Sequence, residues 1–265
     1  MQKMTALSME EIMQVAPQVY TQQPWEKVSK KYSFIPTYKV IEDMDKLGWK
    51  VSSVKSAKHR NDVQKQHGKH IVQFFNPNIV INDANGDVEA YPQCILINNS
   101  MGRGVLRFEM GVFRLVCSNG MIVKSEDFGS YTLRHMGYSF EELQELMVQI
   151  VGKLPQVTEK INTYTQRVMS PEEQSEFAKK AIQARFGEEK MVSEFEINQV
   201  LQSTRKEDNG DNLWVVFNRV QESLINGGFV ATHKSGKSKK VRAIKNMLVD
   251  VSINQKLWEV AESYA

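Results

Sequence analysis

The sequence predicts an α+β protein, with an N-terminal antiparallel sheet of hairpins and meander, a long helix packed on it, and a C-terminal helical region. Three observations predict this. Apolar residues between Cys94 and Leu133 recur with period two, the period changes to 3.6 after Tyr138 and stays there, and no internal repeat or long linker interrupts the chain. The expected division is an arm over residues 1–36, a sheet core with flanking helices over 37–154, and a helical region packed on that core over 155–265.

The elements follow in order. Pro17, Pro24 and Pro36 break any period in the arm, leaving at most a short helix near Glu10 to Val15. Thr37 is placed to cap a helix carrying Val40, Ile41, Met44 and Leu47, which Gly48 closes before Trp49 opens a strand. Ile71-Val-Gln-Phe-Phe reads as a strand, and Asn85-Gly86-Asp87 as a hairpin turn. Leu106, Phe108 and Met110 alternate with Arg107 and Glu109, the pattern of a strand with one wet face; the phase slips at Gly111, where a bulge is expected. Asn119-Gly120 marks a tight turn, and Tyr131-Thr-Leu-Arg-His a last strand. Beyond it, Ser139 with Glu142 forms a capping box for a helix expected to stop before Pro155. Ser170-Pro171 with Glu173 and Ser193 with Glu196 start two more. A helix bearing Trp214, Phe217, Val220 and Leu224 ends in Gly227-Gly228, and two last helices are expected around Val241 to Leu248 and after Asn254.

Composition narrows the function. A chain of 265 residues with 41% hydrophobic and 25% charged side chains is globular rather than fibrous or disordered. No apolar run is long enough for a membrane span and the N-terminus lacks an export pattern, so the expected setting is the cytoplasm, with no membrane partner. Two cysteines, Cys94 and Cys117, are too few for a disulfide scaffold and read as core thiols. The net charge of +3 is small, but the charges are segregated. No Asp or Glu occurs from Ser223 to Val249, a stretch containing Lys234, Lys237, Lys239, Lys240, Arg242 and Lys245. A second cluster joins Lys55, Lys58, Arg60, Lys65 and Lys69 to His59, His67 and His70, interrupted only by Asp62.

Catalytic chemistry finds no signature. The three histidines have poor metal spacing and no carboxylate or thiol beside them, so a solvated basic loop outweighs a metal site. Strand alternation turns Cys117 toward the core, which outweighs a Cys117/His135 pair. No phosphate loop, dinucleotide fingerprint, zinc-deaminase signature or acidic nuclease cluster is visible, so neither cofactor, metal nor catalytic residue is expected. Nucleic-acid binding fares better, because it needs clustered cations with aromatic faces nearby. His233-Lys-Ser-Gly-Lys-Ser-Lys-Lys-Val-Arg supplies the first, and Phe229 with Arg107, Arg114 and Arg134 of the sheet could extend a basic groove; the bland alternative is a solvated loop without a ligand.

Gly111-Val-Phe-Arg-Leu-Val-Cys-Ser-Asn-Gly-Met, followed by Leu133-Arg-His, resembles a phage- and plasmid-associated family known as domain of unknown function 932. Asn212-Leu-Trp-Val-Val-Phe-Asn-Arg-Val-Gln-Glu-Ser-Leu-Ile-Asn-Gly-Gly is similar to the C-terminal helix of its phage members, so the resemblance runs from about Lys39 to the C-terminus. The family's Arg-x-Val-Cys-x-Asn core falls on Arg114 to Asn119, and its Arg-His-Thr appears as Arg134-His135-Met136, without the threonine hydroxyl. The resemblance implies a mobile-element origin and carries no established activity. The order of helix, Leu47-Gly48-Trp49 strand opening, antiparallel meander and long helix also looks like the core of phage single-strand annealing proteins such as Red-beta and Erf. That likeness implies single-stranded nucleic acid in a basic groove, and homo-oligomeric rings or filaments.

The expectation is therefore a phage-encoded, non-enzymatic protein that binds nucleic acid, single-stranded DNA preferred, in replication or recombination within the bacterial host cytoplasm. Lys234, Lys237, Lys239, Lys240, Arg242 and Lys245 would contact phosphates; Lys58, Arg60, Lys65 and Lys69 would form a second wall, with Arg107 and Arg134 from the sheet. The alternative is a host-directed antagonist that uses the basic loop on a bacterial protein or to sequester a nucleotide signal. A hydrolase acting on nucleic acid stands third, because no acidic cluster supports it.

Overall fold

The computed structural model describes residues 4–29, 32–56, 61–82, 86, 88–102, 106–114, 120–122, 131–133, 138–232 and 237–265. The chain divides into two compact units, Met1–Met121 with Glu126–Leu154, and Ile122–Ser125 with Pro155–Ala265.

Unit 1 is built on an antiparallel sheet. Its strands are β1 (Lys50–Ser56), β2 (His70–Phe75), β3 (Ile81–Asn82), β4 (Val88–Asn98), β5 (Leu106–Arg114), β6 (Gly120–Ile122) and β7 (Tyr131–Leu133). The path runs β1-β2-β4-β5-β6, with β3 on β4 and β7 on β5. The β3–β4 hairpin turns through Gly86, whose φ of 85° suits a residue without a side chain. The Asn119 side of the expected tight turn lies outside the described residues, as does Cys117. Helix α1 (Met9–Val15) carries the capping box of Ser8 and Glu11, and α2 (Thr37–Lys46) ends at Leu47 before Gly48, φ 84°. The arm is packed rather than loose: Ile12, Ala16, Val19 and Ile35 are buried, and Leu7 N–H donates to the Val51 carbonyl at 2.8 Å.

Three local expectations change. The wet face of β5 is dry at Glu109, which is 3% exposed, because β4 and β5 bury side chains on both faces. No bulge sits at Gly111: the β4–β5 register is continuous from Ala90↔Arg114 to Ile97↔Arg107. Arg114 keeps its place among the buried positions by pairing with Glu89 at 3.1 Å, which explains the apparent phase slip. Register breaks lie in β1 and β3 instead, and at the one in β1 Ser52 donates to the Gln73 carbonyl and accepts from the Gln93 amide. Thr37 does not cap α2. Pro36 holds the cap position, and the Thr37 hydroxyl lies 2.8 Å from His70 Nε2 while accepting from the Asn98 amide. His70 Nδ1 faces the Gly68 carbonyl at 3.0 Å, so it carries the proton and Nε2 accepts from Thr37.

Helix α4 (Phe140–Gln166) starts at Ser139, whose hydroxyl accepts from Glu142 N–H, but runs through Pro155 instead of stopping there. Proline in a helix interior costs about 3 kcal/mol. Burial of Leu154, Val157, Ile161 and Tyr164, roughly 1.5–3 kcal/mol for each large apolar side chain, outweighs it.

Unit 2 packs α5 (Pro171–Phe186), α6 (Glu194–Leu201), α7 (Leu213–Asn226) and α8 (Met247–Glu262), with a separate hairpin of β8 (Val230–Thr232) and β9 (Ser238–Lys240). Ser170 and Ser193 both complete capping boxes, and Gly187 and Gly227 end α5 and α7. The core is aromatic: Trp214 stacks on Phe217 with centroids 6.2 Å apart, and Phe217 meets Trp258 edge-on at 5.9 Å. The two expected terminal helices are one. Asn246 caps α8 through Leu248 and Val249 N–H, whereas Asn254 lies inside it, buried and accepting from Gln221 at 2.7 Å.

Candidate nucleic-acid interface

The longest acid-free stretch of the sequence forms the β8–β9 hairpin and the segment after it. Most of the hairpin's side chains are too polar to hold two three-residue strands by burial, so other groups hold them. Three side chains from outside the hairpin satisfy the outer edge of β8. The Gln199 amide donates to the Val230 carbonyl at 3.1 Å and accepts from its N–H at 2.9 Å, as a third strand would. Glu196 Oε1 accepts from Thr232 N–H at 3.0 Å, and Lys190 Nζ donates to the Thr232 carbonyl at 2.7 Å. Lys190 also pairs with Glu196 at 2.7 Å.

Glu196 is 1% exposed and does three jobs, since its second oxygen closes the capping box on Ser193. Burial alone would raise its pKa; hydrogen bonds from Lys190, Ser193 and the Thr232 backbone override that and hold the carboxyl below its ordinary range. At the base of the hairpin Gly228 N–H donates to the Val241 carbonyl, and the Arg185 guanidinium donates to the Leu224 and Arg242 carbonyls. Gly227 must be glycine: a Cβ there would stand 2.6 Å from the Val241 carbonyl oxygen, at φ 70°.

On this frame Lys237, Lys239, Lys240, Arg242 and Lys245 are all exposed, and none has a carboxylate ion-pair partner among the described residues. Strand alternation sends Lys239 to one face of the ribbon and Lys240 to the other. Beside it lies a groove of about 530 Å³ whose walls are the turn after α5, from Arg185 to Lys190, and the hairpin with Val241 and Arg242. Phe186 lines this groove and keeps 40% of its surface exposed. Phe229, the aromatic expected to flank a basic groove, is instead 6% exposed and supports Phe186 edge-on at 6.3 Å. Helix α7 offers no recognition face, since nine of its residues from Leu213 to Leu224 are buried.

The remaining expected contacts belong to unit 1, apart from Lys234. Lys234, Lys58, Arg60 and Arg134, with His59 and His135, lie outside the described residues. Lys65 is exposed but pairs with Asp62 at 2.9 Å, and Lys69 is half-buried. Arg107 lies 2.9 Å from the buried Glu109 carboxylate, and Arg114 is spent on Glu89. Burial lowers the pKa of His67, which leaves it neutral at pH 7 and adds no positive charge. Among the described residues no group of three His, Cys, Asp or Glu side chains could hold a metal, Cys94 is buried with its thiol pKa pushed up by desolvation, and no helix is long and apolar enough to cross a membrane.

Sequence reasoning found Glu196 only as the capping partner of Ser193, and did not find Phe186, Lys190 or Gln199. Their partners lie up to 43 residues away, and no local pattern announces such pairings.

Comparison with known proteins adds the family. The model of the domain of unknown function DUF932 matches residues 24–258. The chain belongs to this family. It is 28% identical over 258 residues to UPF0380 protein YafZ of Escherichia coli K12, and 28% identical over 258 residues to UPF0380 protein YfjQ of the same organism. Each match covers 97% of this chain and 91% of the relative. No solved structure matches the chain.

Proposed function

We propose that this member of the DUF932 family binds nucleic acid, single-stranded DNA above all, through the β8–β9 hairpin, and acts without catalysis in replication or recombination of a mobile element in a bacterial cytoplasm. The observation that carries the reading is the set of five exposed cations, Lys237, Lys239, Lys240, Arg242 and Lys245, on and after a ribbon whose opposite edge is tied down. Acid-free cations on a fixed frame neutralise phosphates without first breaking an ion pair. The exposed Phe186 ring beside them favours single strands, whose bases are free to stack on an aromatic face. Lys65 and Lys69 of unit 1 would add weaker contacts.

The test is an anisotropy titration of labelled oligonucleotides over a range of salt, with the absorbance ratio of the purified protein read before and after nuclease treatment. Binding that weakens steeply as salt rises supports the proposal. Salt-independent binding, or none at micromolar protein, rejects it.

The groove favours part of a second reading, capture of a small nucleotide signal, because about 530 Å³ is the volume of a small-molecule site. Equilibrium dialysis against mononucleotides tests it; retention of a nucleotide without any affinity for oligonucleotides would favour it over the first.

A further inference from the structure

We infer that the groove between the turn after α5 and the β8–β9 hairpin receives a single unstacked nucleobase on Phe186, with the adjoining phosphate on Arg242 and on whichever lysine of the Lys239–Lys240 pair faces the groove. The inference rests on the nucleic-acid reading and deepens it, since phosphate neutralisation alone requires no pocket. Its shape comes first: at about 530 Å³ the groove lies in the range of small-molecule sites and suits one base with its sugar. Its charge is divided between the walls. The hairpin wall carries Lys239 and Lys240, with Arg242 beyond them, while the turn wall carries Glu188 and Glu189 beside Arg185 and Lys190, whose donors are held by the Leu224 and Arg242 carbonyls and by Glu196 and Thr232. A nucleotide is divided in the same way, with an anionic phosphate at one end and N–H donors on the edges of guanine, adenine or cytosine at the other.

The aromatic surface is the third observation. Phe186 is braced by Phe229 edge-on and by the Arg185 guanidinium, whose carbon lies 5.0 Å from the ring centroid. That guanidinium is itself fixed by the Leu224 and Arg242 carbonyls. The ring is therefore preorganised, and a base stacking on it orders little side chain in doing so. With the Arg185 guanidinium over the ring and Phe229 against it, Phe186 still leaves 40% of its surface exposed between the two walls, and that surface is what a base would stack on.

The experiment compares, at one salt concentration, a short single-stranded oligonucleotide with an abasic strand of the same length and charge, on the full chain and on Phe186→Leu. The wild type should prefer the strand with bases by about tenfold, the effect of losing one stacked base. Phe186→Leu should lose that preference while keeping the salt dependence. Crosslinking of an iodouracil-containing strand should label peptides from Arg185 to Lys190 or from Lys239 to Arg242. Mononucleotides competing at the same peptides would place a free nucleotide, rather than a strand, in the same base site. Equal affinity for based and abasic strands, with Phe186→Leu unchanged, overturns the inference and leaves the nucleic-acid reading standing. If neither strand binds, the nucleic-acid reading falls; if mononucleotides also leave those peptides unlabelled and unbound, the base site falls with it.

Discussion

The cations of the sheet and those of the hairpin are alike in sequence and opposite in circumstance. Arg107 and Arg114 belong to β5, each with an acid at 2.9 or 3.1 Å, and both acids lie in largely buried surroundings. Lys239 and Lys240 lie on a ribbon, with Arg242 after it, and have no carboxylate ion-pair partner among the described residues, while Glu196 at the ribbon's outer edge is committed to Lys190, Ser193 and Thr232. The first set holds the fold together; the second is available to a ligand. Charge along a chain thus gives little information about charge on a surface until pairing is known.

That contrast can be broken at several points. The largest expected effect is on stability at Glu196→Ala, which leaves the Lys190 ammonium without its counter-charge and the Thr232 N–H without its acceptor. Removing one partner of a buried pair costs about 3–5 kcal/mol, and urea unfolding of the full chain should register a loss of that order. The same carboxylate predicts a pH dependence. Its folded pKa lies below the ordinary 4.5, so its contribution is present above that value and is lost as pH falls through the folded pKa. A wild-type stability curve that falls below about pH 4.5, with a shallower fall in Glu196→Gln, checks the sign.

Arg114→Met comes next. Its side chain is 5% exposed and its partner Glu89 15% exposed, so a loss of about 2–3 kcal/mol is expected, read as a lower denaturation midpoint with oligonucleotide affinity unchanged. Gly227→Ala should cost about 1–3 kcal/mol through the clash with Val241 and the positive φ, and should weaken binding as the base of the hairpin shifts. Lys239→Ala with Lys240→Ala is the smallest in stability, within about 0.5 kcal/mol, because both side chains are exposed and lack carboxylate partners among the described residues.

The parts of the fold legible in the sequence are those decided within a turn of helix or a few residues of strand. Ser139, Ser170 and Ser193 each capped the helix their spacing predicts, because the interaction is local. Thr37 looked the same and was not: the buried His70 and Asn98 compete for its hydroxyl, and both lie more than 30 residues downstream. Pro155 was overruled by the buried stripe on either side of it. The segment from Val241 to Asn246 carries helix-forming residues, yet Gly228 and Arg185 hold the Val241 and Arg242 carbonyls at the foot of the hairpin. In the candidate site the cations were visible as a run without acids. Their frame was not, because Gln199, Glu196 and Lys190 stand in for a strand, and side-chain pairing of that kind leaves no periodicity.

The most direct measurement sets two triple variants against each other in a salt titration of single-stranded DNA binding. One neutralises Lys239, Lys240 and Arg242; the other neutralises Lys55, Lys65 and Lys69 of unit 1. The account predicts that the hairpin variant flattens the slope of log K against log salt by about 2, near 0.7 for each lost phosphate contact, while the unit 1 variant changes it by less than half as much. Equal slopes for the wild type and the hairpin variant would contradict it.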